Sequence, residues 1–164
     1  MKNFYAFIIV LFIISCQKET KHIGKLKTHN PQNEISQIII NPEAERLFEK
    51  ASEKNKISEH DSAKIFLEKS LILEENPIIY NEIGITLMAQ KKFDEAIKYY
   101  QKSIVLDSTY YPTFINISRC YLKTEKYEKG KKILKKMISN SDSEYWKAYG
   151  NMYLALFYFN VDKD

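Results

Sequence analysis

Glycine and proline are scarce in this chain, four of each in 164 residues, and cysteine is scarcer, with two. So few chain-breakers leave little room for the turns that a strand-rich or loop-rich domain needs. Four patterns are absent: G-x-x-x-x-G-K-[ST], H-E-x-x-H, G-x-S-x-G and C-x-x-C. With them go the commonest routes to phosphoryl transfer, metal-assisted hydrolysis, acyl transfer and thiol redox chemistry. A large excess of one charge is missing too. Lys and Arg number 25 against 21 Asp and Glu, a net charge of +4. The two signs intersperse along candidate helices, as on a solvated surface, and no nucleic-acid stripe forms. His22 and His29 have no Cys, Asp or His at ligand spacing and read as solvated. The expectation is no enzyme, no metal and no cofactor, in a chain 45% hydrophobic and 28% charged that suits one soluble domain.

Helical periodicity fills the space those absences leave. From Pro77 to Tyr110, apolar residues recur at helical spacing twice: Tyr80, Ile83, Ile85, Leu87 and Met88, then Phe93, Ala96, Ile97, Tyr100, Ile104 and Leu106. Asn76-Pro77 reads as an N-cap with proline at the first helical position, and Gln90–Lys92 carries no apolar residue and reads as a turn. The result is a helix–turn–helix hairpin of about 34 residues. It resembles a tetratricopeptide repeat, whose signature is W-x2-L-G-x2-Y…A-x3-F…A-x4-P. Tyr80, Ile83, Gly84, Leu87, Ala96, Tyr100 and Ser103 occupy those places, with Ser108 where the family usually has proline.

Arithmetic extends the pattern. Thirty-three residues earlier stand Leu47, Ala51, Ala63 and Ser70, in a degenerate first repeat at about 44–76 with helices near Pro42–Lys54 and Ser62–Glu74. Thirty-four later stand Phe114, Ile117, Ser118, Tyr121, Gly130, Leu134 and Met137, in a third repeat at 111–142. Trp146, Tyr149, Gly150 and Tyr153 then match the first half of the signature in a half repeat at 143–164, which places Gly84, Gly130 and Gly150 at close-packing positions. The resemblance implies an all-α fold, a right-handed superhelix of antiparallel helix pairs with about three and a half repeats. Tyr80, Phe93, Tyr100, Tyr121, Tyr127 and Tyr149 are then expected in the core, with His60 a half-buried packing residue and Cys120 a buried, inert thiol.

The first residues read differently. Lys2 precedes an apolar run from Phe4 to Ile14, about eleven residues and short for a membrane span. Ile13-Ile14-Ser15-Cys16 resembles the bacterial lipoprotein lipobox, which implies a signal peptide at 1–15 and lipid on Cys16. With Cys16 lipidated, Cys120 has no disulfide partner. Residues 16–33 read as the lipidated cysteine and a polar, basic tether, and 34–164 as the repeat domain. Glu34–Ile40 is a short apolar run, helix or strand, that either covers the first repeat or folds into the groove. The expected place is the bacterial cell envelope, anchored by lipid at the outer membrane on its periplasmic or its exposed face.

In the resembled family the concave groove lined by first helices binds partners. Its positions fall here on Phe48, Ser52, Ile78, Asn81, Ile85, Met88, Ile115, Arg119, Leu122, Lys147 and Asn151. The family's carboxylate clamp is largely missing, since Phe48, Ser52 and Ile115 replace its polar residues. An apolar middle suits an amphipathic helix or extended peptide of another protein, with Arg119 steering an acidic group. Leu154, Phe157 and Phe159 raise a second expectation, self-association through the last helix into a structural oligomer. A third is a non-catalytic accessory subunit of an envelope enzyme.

Overall fold

A computed structural model of the chain describes residues 39–161. The chain separates into two units, Met1–Glu34 and Ile35–Asp164, and everything below concerns the second. The expected signal segment, Cys16, the tether and all but two residues of the Glu34–Ile40 run lie outside the described residues. Of those two, Ile39 is buried in the core and Ile40 is 86% exposed; neither is in a helix or strand.

Among the described residues there are seven helices and no strand: α1 (Pro42–Lys56), α2 (His60–Leu73), α3 (Pro77–Ala89), α4 (Phe93–Leu106), α5 (Pro112–Lys123), α6 (Tyr127–Asn140) and α7 (Glu144–Val161). Each packs on the next, and α5 also touches both α3 and α7. The fold is an all-α helical-repeat solenoid, as expected. No described helix is long and apolar enough to cross a membrane.

Local chemistry explains where the helices begin. The Oδ1 of Asn41 accepts from the Glu43 and Ala44 N–H groups at 3.0 and 3.1 Å, and that of Asn76 accepts from Ile78 N–H at 2.9 Å. Pro42 and Pro77 follow, where a missing N–H leaves nothing unsatisfied. Each such cap contributes about 1 kcal/mol. Glu74 ties both starts together: its carboxylate accepts from Ile40 and Asn41 N–H at 2.9 and 2.7 Å and from the Asn76 amide at 2.8 Å.

The first helix of each pair stops in one way, three times over. Ser58, Lys91 and Glu125 take φ of 63°, 61° and 56°. The next N–H then reaches back to a carbonyl five residues earlier, Glu59 to Lys54, Lys92 to Leu87 and Lys126 to Tyr121, each at 2.9 Å. This is the Schellman stop that glycine usually makes. The second helix starts at once, at His60, Phe93 or Tyr127, with no side-chain cap. The expected start of α2 near Ser62 was therefore two residues late, because this turn needs no capping residue.

Within each pair the helices approach closely. A Cβ on Gly84 would overlap the Tyr100 ring of α4; the contact between the third pair and the helix after it is as close, since a Cβ on Gly130 would overlap the Phe157 ring of α7. Ser70 Oγ donates to the Ala44 carbonyl at 2.7 Å, and Ser103 Oγ, 33 residues on, donates to the Pro77 carbonyl at 2.8 Å. Each of these bonds joins the end of a second helix to the start of its first and adds about 1 kcal/mol. Tyr80, Tyr100 and Tyr121 are buried, and Phe93, Tyr127 and Tyr149 are half-buried against the core.

A left-handed backbone costs a side-chain-bearing residue more than glycine. Lys91→Gly is expected to raise stability by about 0.5–1 kcal/mol, and Lys91→Val to lower it by a similar amount. Urea unfolding followed by circular dichroism measures both.

Candidate partner-binding surface

The first helices lie side by side, α1, α3 and α5 joined by side-chain amides and α7 touching α5. Asn55 of α1 donates to Thr86 Oγ1 at 2.8 Å and to the Glu82 carboxylate at 3.3 Å, both on α3. Its Oδ1 lies 3.1 Å from His60 Nδ1, so the half-buried His60 packs at the head of α2 as expected. Between α3 and α5, Asn81 Oδ1 accepts from Thr113 Oγ1 at 3.2 Å and from Asn116 Nδ2 at 3.0 Å. Thr113 Oγ1 also lies 2.9 Å from Ser103 Oγ.

These bonds fix which side of each first helix faces which neighbour. Thr86 and Thr113 look back to the preceding pair, and Asn81 looks forward to the next. The equivalents of Ile79, Ile83 and Thr86 on α1, which has no pair in front of it among the described residues, are Arg46, Lys50 and Glu53, all exposed.

The expected groove residues sort accordingly. Phe48, Ile78, Asn81 and Ile115 are buried. They hold the layer together and are closed to a ligand, a correction to the sequence reading of these four residues. Ser52, Ile85, Met88 and Leu122 are half-buried, and Arg119 is exposed with no ion pair among the described residues.

On α7 the register differs by one residue from the sequence alignment. Gly84 packs on its own second helix, but a Cβ on Gly150 would overlap Met137 and Ile138 of the preceding α6, and Phe157 is fully buried against Gly130. Trp146, Gly150, Tyr153 and Phe157 thus form the backward-looking face. Lys147 and Asn151 shift with it to the side where a second helix would pack, away from the groove. Phe157, expected on a self-association surface, is core instead, with its ring edge-on to Tyr127 at 6.5 Å. The side of α7 in register with the open side of α3 and α5 is Tyr145, Tyr149, Met152 and Leu156. One row then crosses all four first helices: Ser52, Ile85, Arg119 and Met152, spaced 33 or 34 residues apart. Met152 was missed because a one-residue shift rotates a helix face by about 100°.

Reactive groups are muted. Burial pushes the Cys120 thiol up to about 11, partly offset by Arg119, so it stays protonated and inert. No group of three or more metal-ligating side chains occurs among the described residues.

Comparisons with known proteins identify part of this architecture. Residues 77–110 and 111–142 each match a tetratricopeptide repeat family, so the chain contains two such repeats. A curated relative, anaphase-promoting complex subunit 6 of Arabidopsis thaliana, is 26% identical over 66 residues, 37% of this chain and 12% of that protein. Among solved structures, the Sgt2 tetratricopeptide domain of Aspergillus fumigatus superposes with a TM-score of 0.65 at 18% identity, covering 75% of this chain and 82% of that one. The Yersinia enterocolitica secretion chaperone SycD, in complex with a peptide of the translocator YopD, gives 0.65 at 15% identity over 74% and 97%. The first such domain of Spaghetti (RPAP3), bound to an HSP90 peptide, gives 0.65 at 17% over 74% and 94%.

Two carboxylates titrate in opposite senses. Burial raises the Glu82 carboxyl above its ordinary 4.5, only partly offset by the Asn55 hydrogen bond. Burial also acts on Glu74, but the Asn41, Asn76 and Ile40 donors outweigh it and hold that carboxyl below 4.5. Ionising Glu82 as pH rises through its folded value removes stability, whereas Glu74 stabilises fully above pH 4.5 and loses that contribution as pH falls through its folded value. At pH 7, Glu82→Gln is therefore expected to raise the urea midpoint and Glu74→Gln to lower it, with both effects shrinking toward about pH 3. Shifts of the same sign at pH 7 would contradict the assignment.

Proposed function

We propose that this protein is a lipid-anchored adaptor of the bacterial envelope, with no chemistry of its own, which holds a peptide or helix of a partner protein along the row Ser52, Ile85, Arg119 and Met152. The observation that carries the reading is that row, half-buried at Ser52 and Ile85 and exposed at Arg119 and Met152, one residue on each of four successive first helices. SycD and Spaghetti, which share the fold, were each solved with a peptide of another protein, and that supports the reading. The row is mixed in chemistry, so it suits a segment with apolar side chains over Ile85 and Met152 and an acidic group toward Arg119. The lipobox-like Ile13-Ile14-Ser15-Cys16 supports the anchor, and residues 16–33 would serve as its tether.

Full-length protein used to capture partners from detergent-solubilised envelopes is expected to retain a protein that an Ile85→Glu, Met88→Glu variant loses by about tenfold or more. That variant must keep its helical circular dichroism. Equal recovery by both proteins would remove the groove from the account. Separately, Cys16→Ser is expected to move the chain from the membrane to the soluble fraction. Unchanged fractionation with an intact leader would remove the lipid anchor.

A further inference from the structure

We propose that α6 is a membrane-facing helix, whose unpaired lysines Lys129, Lys132, Lys135 and Lys136 lie against the anionic headgroups of a lipid bilayer. The choice of a bilayer rests on the envelope anchor proposed above; the peptide row plays no part in it.

Charge is spread unevenly among the second helices. Tyr127–Asn140 carries five lysines against one glutamate, which matches the net charge of +4 on the whole chain. At the places of Lys129, Lys132, Lys135 and Lys136, α4 has Glu95, Lys98, Gln101 and Lys102, and α2 has Ser62, Ile65, Glu68 and Lys69. The interspersed signs read from the sequence therefore hold on α2 and α4 but fail on α6.

The four lysines are exposed, and none has an ion pair among the described residues. At 100° per residue they fall within about 120° of one another on the helix. Lys131 is otherwise engaged, held by Glu128 at 2.8 Å and 4.9 Å from the centre of the Tyr158 ring. Lys126 is held by Asp94 of α4. Glu125 and Asp142 stand just before and just after the helix, outside the lysine face. α6 packs on α5 and α7 and turns that face to water.

The chemistry of the face selects a bilayer among anionic partners. A nucleic acid would draw on arginine forks and on aromatic rings for its bases, and the exposed residues of α6 include neither. They include no apolar residue, so an acidic protein would find no apolar centre for an interface. Lysines spread over a broad face match phosphate-bearing headgroups, which ask for charge and not for fit. The chain before the described residues argues the same way. Residues 16–33 carry Lys18, Lys21, Lys25 and Lys27 against Glu19, and a tether of that length spans roughly 20–25 Å. An anchor on Cys16 thus holds the domain within reach of the headgroups, where α6 orients it. Because α6 covers one side of α5 and α7, Arg119 and Met152 on their open sides then face away from the bilayer.

The test uses the full-length chain carrying Cys16→Ser, so that no lipid contributes. At about 0.1 M salt, partition onto vesicles with about 30% phosphatidylglycerol is expected to exceed partition onto zwitterionic vesicles about a hundredfold. That excess should vanish near about 0.5 M. Each lysine beside an anionic surface strengthens binding about fivefold. Adding Lys129→Gln, Lys132→Gln, Lys135→Gln and Lys136→Gln together is expected to cut the excess about thirtyfold or more, with circular dichroism unchanged. Removing the same charge elsewhere, by Lys50→Gln, Lys56→Gln, Lys91→Gln and Lys92→Gln, should cut it about threefold or less. No excess for the parent chain, an excess that survives the α6 changes, or equal losses from both sets would each overturn the proposal. So would release from the vesicles by duplex DNA at equal phosphate, since the face would then belong to nucleic acid. Failure of the anchor shows separately, as unchanged fractionation of Cys16→Ser in cells, and leaves the vesicle ratio as it is.

Discussion

The distance between the two helices of a pair governs everything built on it. At Gly84 there is no side chain to hold Tyr100 away, and Ser103 at the far end of α4 reaches the Pro77 carbonyl. Ala51, Ala63 and Ser70 keep the same closeness in the first pair. Overfilling a packed contact of this kind costs about 1–3 kcal/mol. A pair this thin cannot bury both of its faces, so the first helix of the next pair covers the remainder. Ile79 and Ile83 on α3 and Ile117 on α5 are buried by that arrangement.

The same polar residues that make the layer cohere also narrow what it can bind. Asn55, Asn81, Thr113 and Asn116 spend their hydrogen bonds on neighbouring helices. An unmade hydrogen bond at a buried amide costs about 1–3 kcal/mol, so a ligand competing for these groups would have to replace them in full. What stays open is the outer row, where Ile85, Arg119 and Met152 alternate apolar and cationic character. Ion pairs such as Lys64–Glu68 at 2.6 Å are partly exposed and add little to this framework.

The last helix departs from the pattern for a chemical reason. Where α1, α3 and α5 run out of apolar residues and turn at Ser58, Lys91 and Glu125, α7 carries Leu156, Phe157, Tyr158 and Phe159 and continues to Val161. Phe157 enters the core beside Gly130, and the Lys131 ammonium lies 4.9 Å from the centre of the Tyr158 ring.

The chain alone determined the repeat and its caps. Asn41-Pro42, Asn76-Pro77 and the returning small residues at 33 or 34 depend on local backbone geometry and on spacing, and both are written in order along the sequence. It also placed the tyrosine core, His60 and Cys120, because periodicity reports which face of a helix is apolar. Tertiary structure decided what each apolar face meets. Phe48, Ile78 and Ile115 read as groove but are core, since an apolar residue looks the same whether a helix or a ligand covers it. The role of α7 also waited on packing. Trp146, Gly150 and Tyr153 fit the signature of a helix facing its own partner, yet with α6 as the available surface they turn backward. That rotation by one residue carried Lys147 and Asn151 out of the groove and brought Met152 to the open side.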